Sequence, residues 1–232
     1  MSKPVITLEN ISITYRSGIP LFKQTSVHTA LKDISFELHE GDSLGIIGRN
    51  GVGKSTLLNL LNGIIKPDSG RIVNHGYRTA LLSLSVGYDK NVSGYNNAVM
   101  SGMLLGRSKK EMISLMPDII EFSELGDFIY QPVKNYSTGM KQRLGFSVAT
   151  KIETDVLLID EILGVGDARF KKKSTEVMKK KILSGDTVVL VSHSAATVKE
   201  LCNKAVWIEK GVVKASGDPA KVVSEYEKYI TK

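Results

Sequence analysis

Gly48-Arg49-Asn50-Gly51-Val52-Gly53-Lys54-Ser55 fits the spacing G-x-x-x-x-G-K-[ST]. A short apolar segment, 43–47, runs into it, and a helix-like run, Lys54-Ser55-Thr56-Leu57-Leu58, leaves it. That setting is the one a phosphate-binding loop needs. Glycines let backbone N–H groups turn inward around a phosphate, and the helix N-terminus adds partial positive charge. Lys54 can reach the β- and γ-phosphates of a nucleotide, and the Ser55 hydroxyl can coordinate Mg2+. Gly48, Asn50, Gly51, Gly53, Lys54, Ser55 and Thr56 are therefore the expected phosphate cradle.

Downstream, Val156-Leu157-Leu158-Ile159-Asp160-Glu161 places two carboxylates after four apolar residues. A continuous apolar run suits a strand buried on both faces of a parallel sheet, and open α/β sheets bind ligands at the C-terminal ends of such strands. Asp160 can hold Mg2+, and Glu161 can polarise a water for in-line attack on a γ-phosphate. Between the two motifs, Asn135-Tyr136-Ser137-Thr138-Gly139-Met140-Lys141-Gln142-Arg143-Leu144 opens a helix. The Ser137 hydroxyl and the Gly139 N–H at a helix N-terminus suit an anion.

The rest of the chain is consistent with one domain. Its 232 residues are 42% hydrophobic and 24% charged, as in an ordinary globular protein. No apolar run approaches the ~18 residues needed to span a bilayer. The N-terminal MSKPVITLEN lacks the apolar segment of a secretory signal. A single cysteine, Cys202, excludes a disulfide scaffold. The net charge of +7 favours polyanionic partners without choosing among them. The lysines of 170–181 read as a solvated helix face, and few aromatics accompany them. Strands are expected at 5–15, 31–38, 71–73, 156–159 and 188–191, with a hairpin around Lys210-Gly211. Helical spacing fills 93–134, broken near Gly106 and Pro117, and its methionines read as core fillers. Helices follow at 168–183, 195–202 and 221–230.

Taken together, the three motifs resemble those of the ATP-binding cassette (ABC) ATPases, whose signature is usually written LSGGQ. The likeness extends over nearly the whole chain. It implies an α/β P-loop fold with a mainly parallel sheet, an N-terminal antiparallel β subdomain and an inserted helical subdomain. A single nucleotide-binding domain over 1–232 is expected, with the core and β subdomain at 1–92 and 135–232 and the helical subdomain at about 93–134. The resemblance implies ATP hydrolysis with Mg2+, and a homodimer that sandwiches ATP. In such a dimer Ser137, Thr138 and Gly139 of one copy face the γ-phosphate held by the other, and Asp167 touches the partner's P-loop. It also implies that His193, after the apolar run 189–191, contacts the γ-phosphate, and that Tyr15 stacks on adenine. Neither His28 nor His75 has such a setting, and both read as incidental.

Tyr136-Ser137-Thr138-Gly139-Met140 and Asp160-Glu161-Ile162-Leu163-Gly164-Val165-Gly166-Asp167 resemble the subfamily that exports O-antigen, capsule and teichoic acid. That implies a lipid-linked polysaccharide as cargo, a separate transmembrane permease as partner, and a place on the cytoplasmic face of the cytoplasmic membrane. Another exported cargo, a lipid or a drug, is the first alternative, and a soluble ABC ATPase acting on nucleic acid is the second, less favoured one. Nucleic acid is not the expected partner. The chain departs from the family in the loop at 81–94, where a glutamine is usual. No glutamine occurs between Gly53 and Gln131, and Ser83 and Asp89 are the nearest candidates for its place. Only a short tail follows Lys210, so the C-terminal carbohydrate-binding domain of some O-antigen ATPases is not expected in this sequence.

Overall fold

The computed structural model describes residues 2–17, 26–82, 87–161 and 164–231. Close contacts divide the chain into two compact units. The first holds residues 1–81, 155–161 and 181–232, and the second holds 82–154 and 162–180.

Two sheets build the first unit. Strands β1 (Pro4–Ser17), β2 (Ser26–His39) and β4 (Ser69–Asn74) form an antiparallel sheet in the order β2-β1-β4. A six-stranded sheet runs β5-β6-β7-β3-β8-β9. Its strands are β3 (Ser43–Ile47), β5 (Thr79–Leu81), β6 (Val156–Asp160), β7 (Thr187–Val191), β8 (Lys204–Glu209) and β9 (Val212–Gly217). Every pairing in it is parallel except β8 with β9, the hairpin expected around Lys210-Gly211.

The apolar runs fall where both faces are covered. Every residue of β3 and β7 is buried, and so are the first four of β6. Each such Val, Leu or Ile contributes about 1.5–3 kcal/mol by leaving water. Leu57, Leu58, Leu60 and Leu61 of helix α1 (Lys54–Leu61) join Leu44, Ile46, Leu158, Val189 and Val191 in the same core. That anchoring fixes the N-terminus of α1 beyond the end of β3. Helices α6 (Ala195–Leu201) and α7 (Pro219–Ile230) complete this unit.

Helices dominate the second unit: α2 (Gly94–Leu104), α3 (Lys109–Ser123), α4 (Thr138–Lys151) and most of α5 (Ala168–Leu183). Residues 93–134 thus supply α2 and α3, and the unit extends beyond them into α4 and α5. Its core joins Ala98, Met112, Met116, Ile119, Leu144 and Val148. Met112 and Met116 are core fillers as expected, whereas Met100 and Met103 are 38% and 46% exposed. The expected break at Gly106 occurs, with φ 88°. The one near Pro117 does not, because α3 runs through it to Ser123. A capping box of Ser108 and Glu111 holds the start of α3, and its buried Met112, Met116 and Ile119 offset the hydrogen bond that proline removes.

Candidate functional site

The turn after β3 is shaped by close approach. A Cβ on Gly48 would lie 2.2 Å from the Ile208 carbonyl oxygen, and one on Gly53 would lie 2.3 Å from that of Ala30. Gly53 also has φ 102°, the left-handed region, and caps α1 with its backbone alone. Lys54 is 5% exposed, and its Nζ donates to the carbonyl oxygens of Gly48 and Arg49, both at 2.8 Å. An ammonium has three donors, so one remains for an incoming anion. Burial holds the Lys54 pKa below its ordinary value, while the charges of Glu161 and Asp160 push it back up. A phosphate would resolve that tension by supplying the missing negative charge.

A cavity of about 380 Å³ opens over this loop, lined by Tyr15, His28, Ala30, Asn50, Gly51, Gly53, Lys54, Ser55, Thr56, Glu161 and His193. The Ser55 side chain is exposed in the first turn of α1. Tyr15, 45% exposed, places its hydroxyl 3.4 Å from that of Thr56. The ring is therefore a free flat surface at the cavity's edge. Asp160 ends β6 beside Val191. Glu161 follows at φ 61°, a conformation that costs a non-glycine residue about 1–3 kcal/mol. Its N–H donates to the Val191 carbonyl oxygen at 3.0 Å, and its carboxylate meets Nε2 of His193. Strand β7 thus positions both groups, one through its last carbonyl and the other through the turn that follows it.

Nine of the expected residues therefore line one cavity: Tyr15, Asn50, Gly51, Gly53, Lys54, Ser55, Thr56, Glu161 and His193. Gly48 supports it from behind. His28, read as incidental from the sequence, also lines it. The reason is tertiary: β1 and β2 pair with Tyr15 opposite His28. No local pattern around His28 carries that information, since the pairing depends on the register of two strands. A hard cation would find oxygen donors in Ser55 and Asp160, the chemistry Mg2+ prefers.

Ser137, Thr138, Gly139 and Asp167 belong to the second unit. Ser137 caps α4, its hydroxyl oxygen accepting from the Met140 N–H at 3.2 Å. The hydroxyl proton is left to donate outward, beside the exposed Thr138 and a Gly139 whose Cβ position would touch only Ser137 Oγ, at 3.9 Å, among the described residues. Tyr136 pins the turn from below: its buried hydroxyl donates to the Phe128 carbonyl oxygen at 2.6 Å, and burial pushes its pKa to about 12. Asp167 accepts from the Phe170 N–H at 3.0 Å and faces Arg143 at 4.0 Å. That amide first, and Arg143 after it, hold its carboxyl below the usual range. Of the two candidates for the missing glutamine, Ser83 lies outside the described residues. Asp89 spends its carboxylate within its own turn, on the Asn91 N–H at 2.8 Å.

The family model described as "ABC transporter" matches residues 31–164. The chain is 46% identical over 209 residues to the O-antigen export system ATP-binding protein RfbB of Myxococcus xanthus, covering 90% of this chain and 48% of that protein. It is 46% identical over 201 residues to the teichoic acids export ATP-binding protein TagH of Lactococcus lactis, covering 87% and 43%. The chain thus spans about half the length of these relatives. Among solved structures, a dimeric ATP-binding cassette in a post-hydrolysis state, bound to ADP and Pi, superposes with a TM-score of 0.74 at 20% identity. The match covers 92% of this chain and 98% of that one, and it shows a shared fold.

Proposed function

Because the chain belongs to the ABC transporter family, we propose that it binds and hydrolyses ATP as the nucleotide-binding subunit of a lipid-linked polysaccharide exporter. The observation that carries the ATPase reading is the single cavity that joins Lys54 to the Glu161–His193 pair. Lys54 and the backbone N–H groups of Asn50, Gly51 and Gly53 hold the phosphates. Tyr15 offers its ring to the base. Glu161 accepts the proton of the attacking water, and His193 keeps that carboxylate aimed into the cavity. Mg2+, when bound through Ser55 and Asp160, would neutralise charge on the phosphate oxygens.

In this reading two copies associate head to tail. Ser137, Thr138 and Gly139 of one copy close over the nucleotide of the other, and Asp167 contributes to the same interface. ATP binding closes the pair and hydrolysis reopens it, which a permease in the membrane converts into transport. No helix among the described residues is long and apolar enough to cross a membrane, so this reading gives the crossing to a separate partner. It places the chain peripherally on the cytoplasmic face of the cytoplasmic membrane. The wording around Ser137 and Asp167 and the relatives named for O-antigen and teichoic acid export support this cargo.

The test is made in the source organism, with Glu161→Gln replacing the natural residue. Lipid-linked glycan should accumulate inside the cell while the surface glycan disappears. An unchanged surface would remove polysaccharide as the cargo.

A further inference from the structure

Arg49 is one of the unspecified positions of the P-loop, and its backbone and side chain face different partners. Its carbonyl oxygen accepts from Lys54 Nζ at 2.8 Å. Its guanidinium lies over the ring of Tyr229, 5.2 Å from the centroid. Among the described residues the Arg49 side chain makes no ion pair and no hydrogen bond, so this ring is what orients it. Tyr229 is in turn held by the core. It packs against Trp207 of β8 with ring centroids 5.1 Å apart, and Tyr226, one turn earlier on α7, packs on the same indole at 5.8 Å. Trp207 is 6% exposed and precedes Ile208, whose carbonyl presses on Gly48.

We propose that Tyr229 is a positioning residue for the nucleotide site: the last turn of α7 holds Arg49, and through the Arg49 carbonyl it fixes Lys54. The proposal rests on the assignment of ATP to the P-loop cavity. Two of the three donors of Lys54 are spent on loop carbonyls, so the direction of the third follows from where those carbonyls sit. Gly48 lies close against the Ile208 carbonyl of β8. The Arg49 side chain is exposed and, among the described residues, has the aromatic face alone to hold it. Loss of that face lets its peptide relax, and Lys54 then meets the phosphates less well prepared. An exposed cation–π contact of this kind corresponds to a roughly two- to fivefold effect on affinity. The effect falls on binding and not on the chemical step, because Glu161 and His193 are held from β7.

The test uses the full chain, with ATP and Mg2+ titrated by calorimetry. Tyr229→Phe keeps the ring and should bind ATP like the unaltered chain. Tyr229→Leu keeps apolar packing on Trp207 but removes the π face; its Kd should rise roughly two- to fivefold. Its KM for ATP should rise equally, with kcat unchanged. Trp207 is the chain's one tryptophan and gives a second readout. Its emission should respond to ATP in the unaltered chain and in Tyr229→Phe, and the response should vanish in Arg49→Gln, which leaves the aromatic packing intact. A Tyr229→Leu chain with unaltered Kd would reduce Tyr229 to a packing residue and overturn the proposal. If that variant fails to fold, Arg49→Gln decides, and an unaltered Kd there overturns it equally. Failure of the unaltered chain to bind ATP would instead remove the P-loop assignment itself.

Discussion

The carboxylate of Glu161 meets Nε2 of His193 at the edge of the P-loop cavity; Glu161 follows β6 and bonds the last carbonyl of β7, and His193 sits in the turn after β7. Glu161 reaches that place only by adopting φ 61°. A side chain held there against backbone preference depends on its partner for direction. Truncation of His193 removes that partner and leaves Glu161 in place. Hydrogen bonds to charged groups are worth about 1.5–3 kcal/mol. His193→Ala should therefore lower kcat for ATP hydrolysis about ten- to a hundredfold, with little change in the Kd for ATP. Steady-state kinetics beside calorimetry separate the two effects.

Lys54→Ala should act on binding. It deletes the buried cation and leaves the Gly48 and Arg49 carbonyl oxygens without their donor. The loss of one charge-assisted hydrogen bond to phosphate predicts an ATP affinity about ten- to a hundredfold weaker. Calorimetric titration of the folded variant measures it.

The glycines of the loop should differ in tolerance. Gly53→Ala adds a Cβ 2.3 Å from a backbone oxygen at φ 102°, whereas one at Gly51, φ 77°, meets nothing within 4 Å. The first should cost about 2–4 kcal/mol of stability, through strain plus overpacking. The second should cost about 1–2 kcal/mol, through the backbone alone. Urea denaturation midpoints of the two variants check the ranking.

Cys202 gives a pH prediction. Burial pushes its thiol from the usual 9.0 up to about 12. Between those values the unfolded chain has lost the proton and the folded chain keeps it, so stability must fall as pH rises through that window. Below about pH 7, where the thiol is protonated in both states, it contributes almost nothing to the slope. The loss should be on the order of 1 kcal/mol by pH 10, and Cys202→Ala should flatten it. Urea melts from pH 8 to 10.5 test this. The native thiol should also resist alkylation at pH 8 and react once the chain is unfolded.

The parts of the fold and site readable in advance are those where chemistry imposes local spacing. Phosphate binding needs glycines and a lysine within eight residues, so 48–55 is legible without a structure. A strand buried on both faces must be apolar throughout, which locates β6 and the carboxylates that follow it. Other features depend on distant partners. Strand β5 is three residues long and exists through its pairing with β6. Helix α3 passes through Pro117 because its buried face outweighs a local signal. His28 enters the site through cross-strand register, and Tyr229 approaches Arg49 from 180 positions further along the sequence.

Glu161 is proposed to be the base for ATP hydrolysis in this cavity. The direct measurement is phosphate release by the unaltered chain and by Glu161→Gln, each with its ATP affinity determined in parallel. Hydrolysis should be slower by about 10²–10⁴-fold in the variant, with ATP affinity retained and a dimer that persists with ATP bound. Turnover of Glu161→Gln at the rate of the unaltered chain would contradict that role.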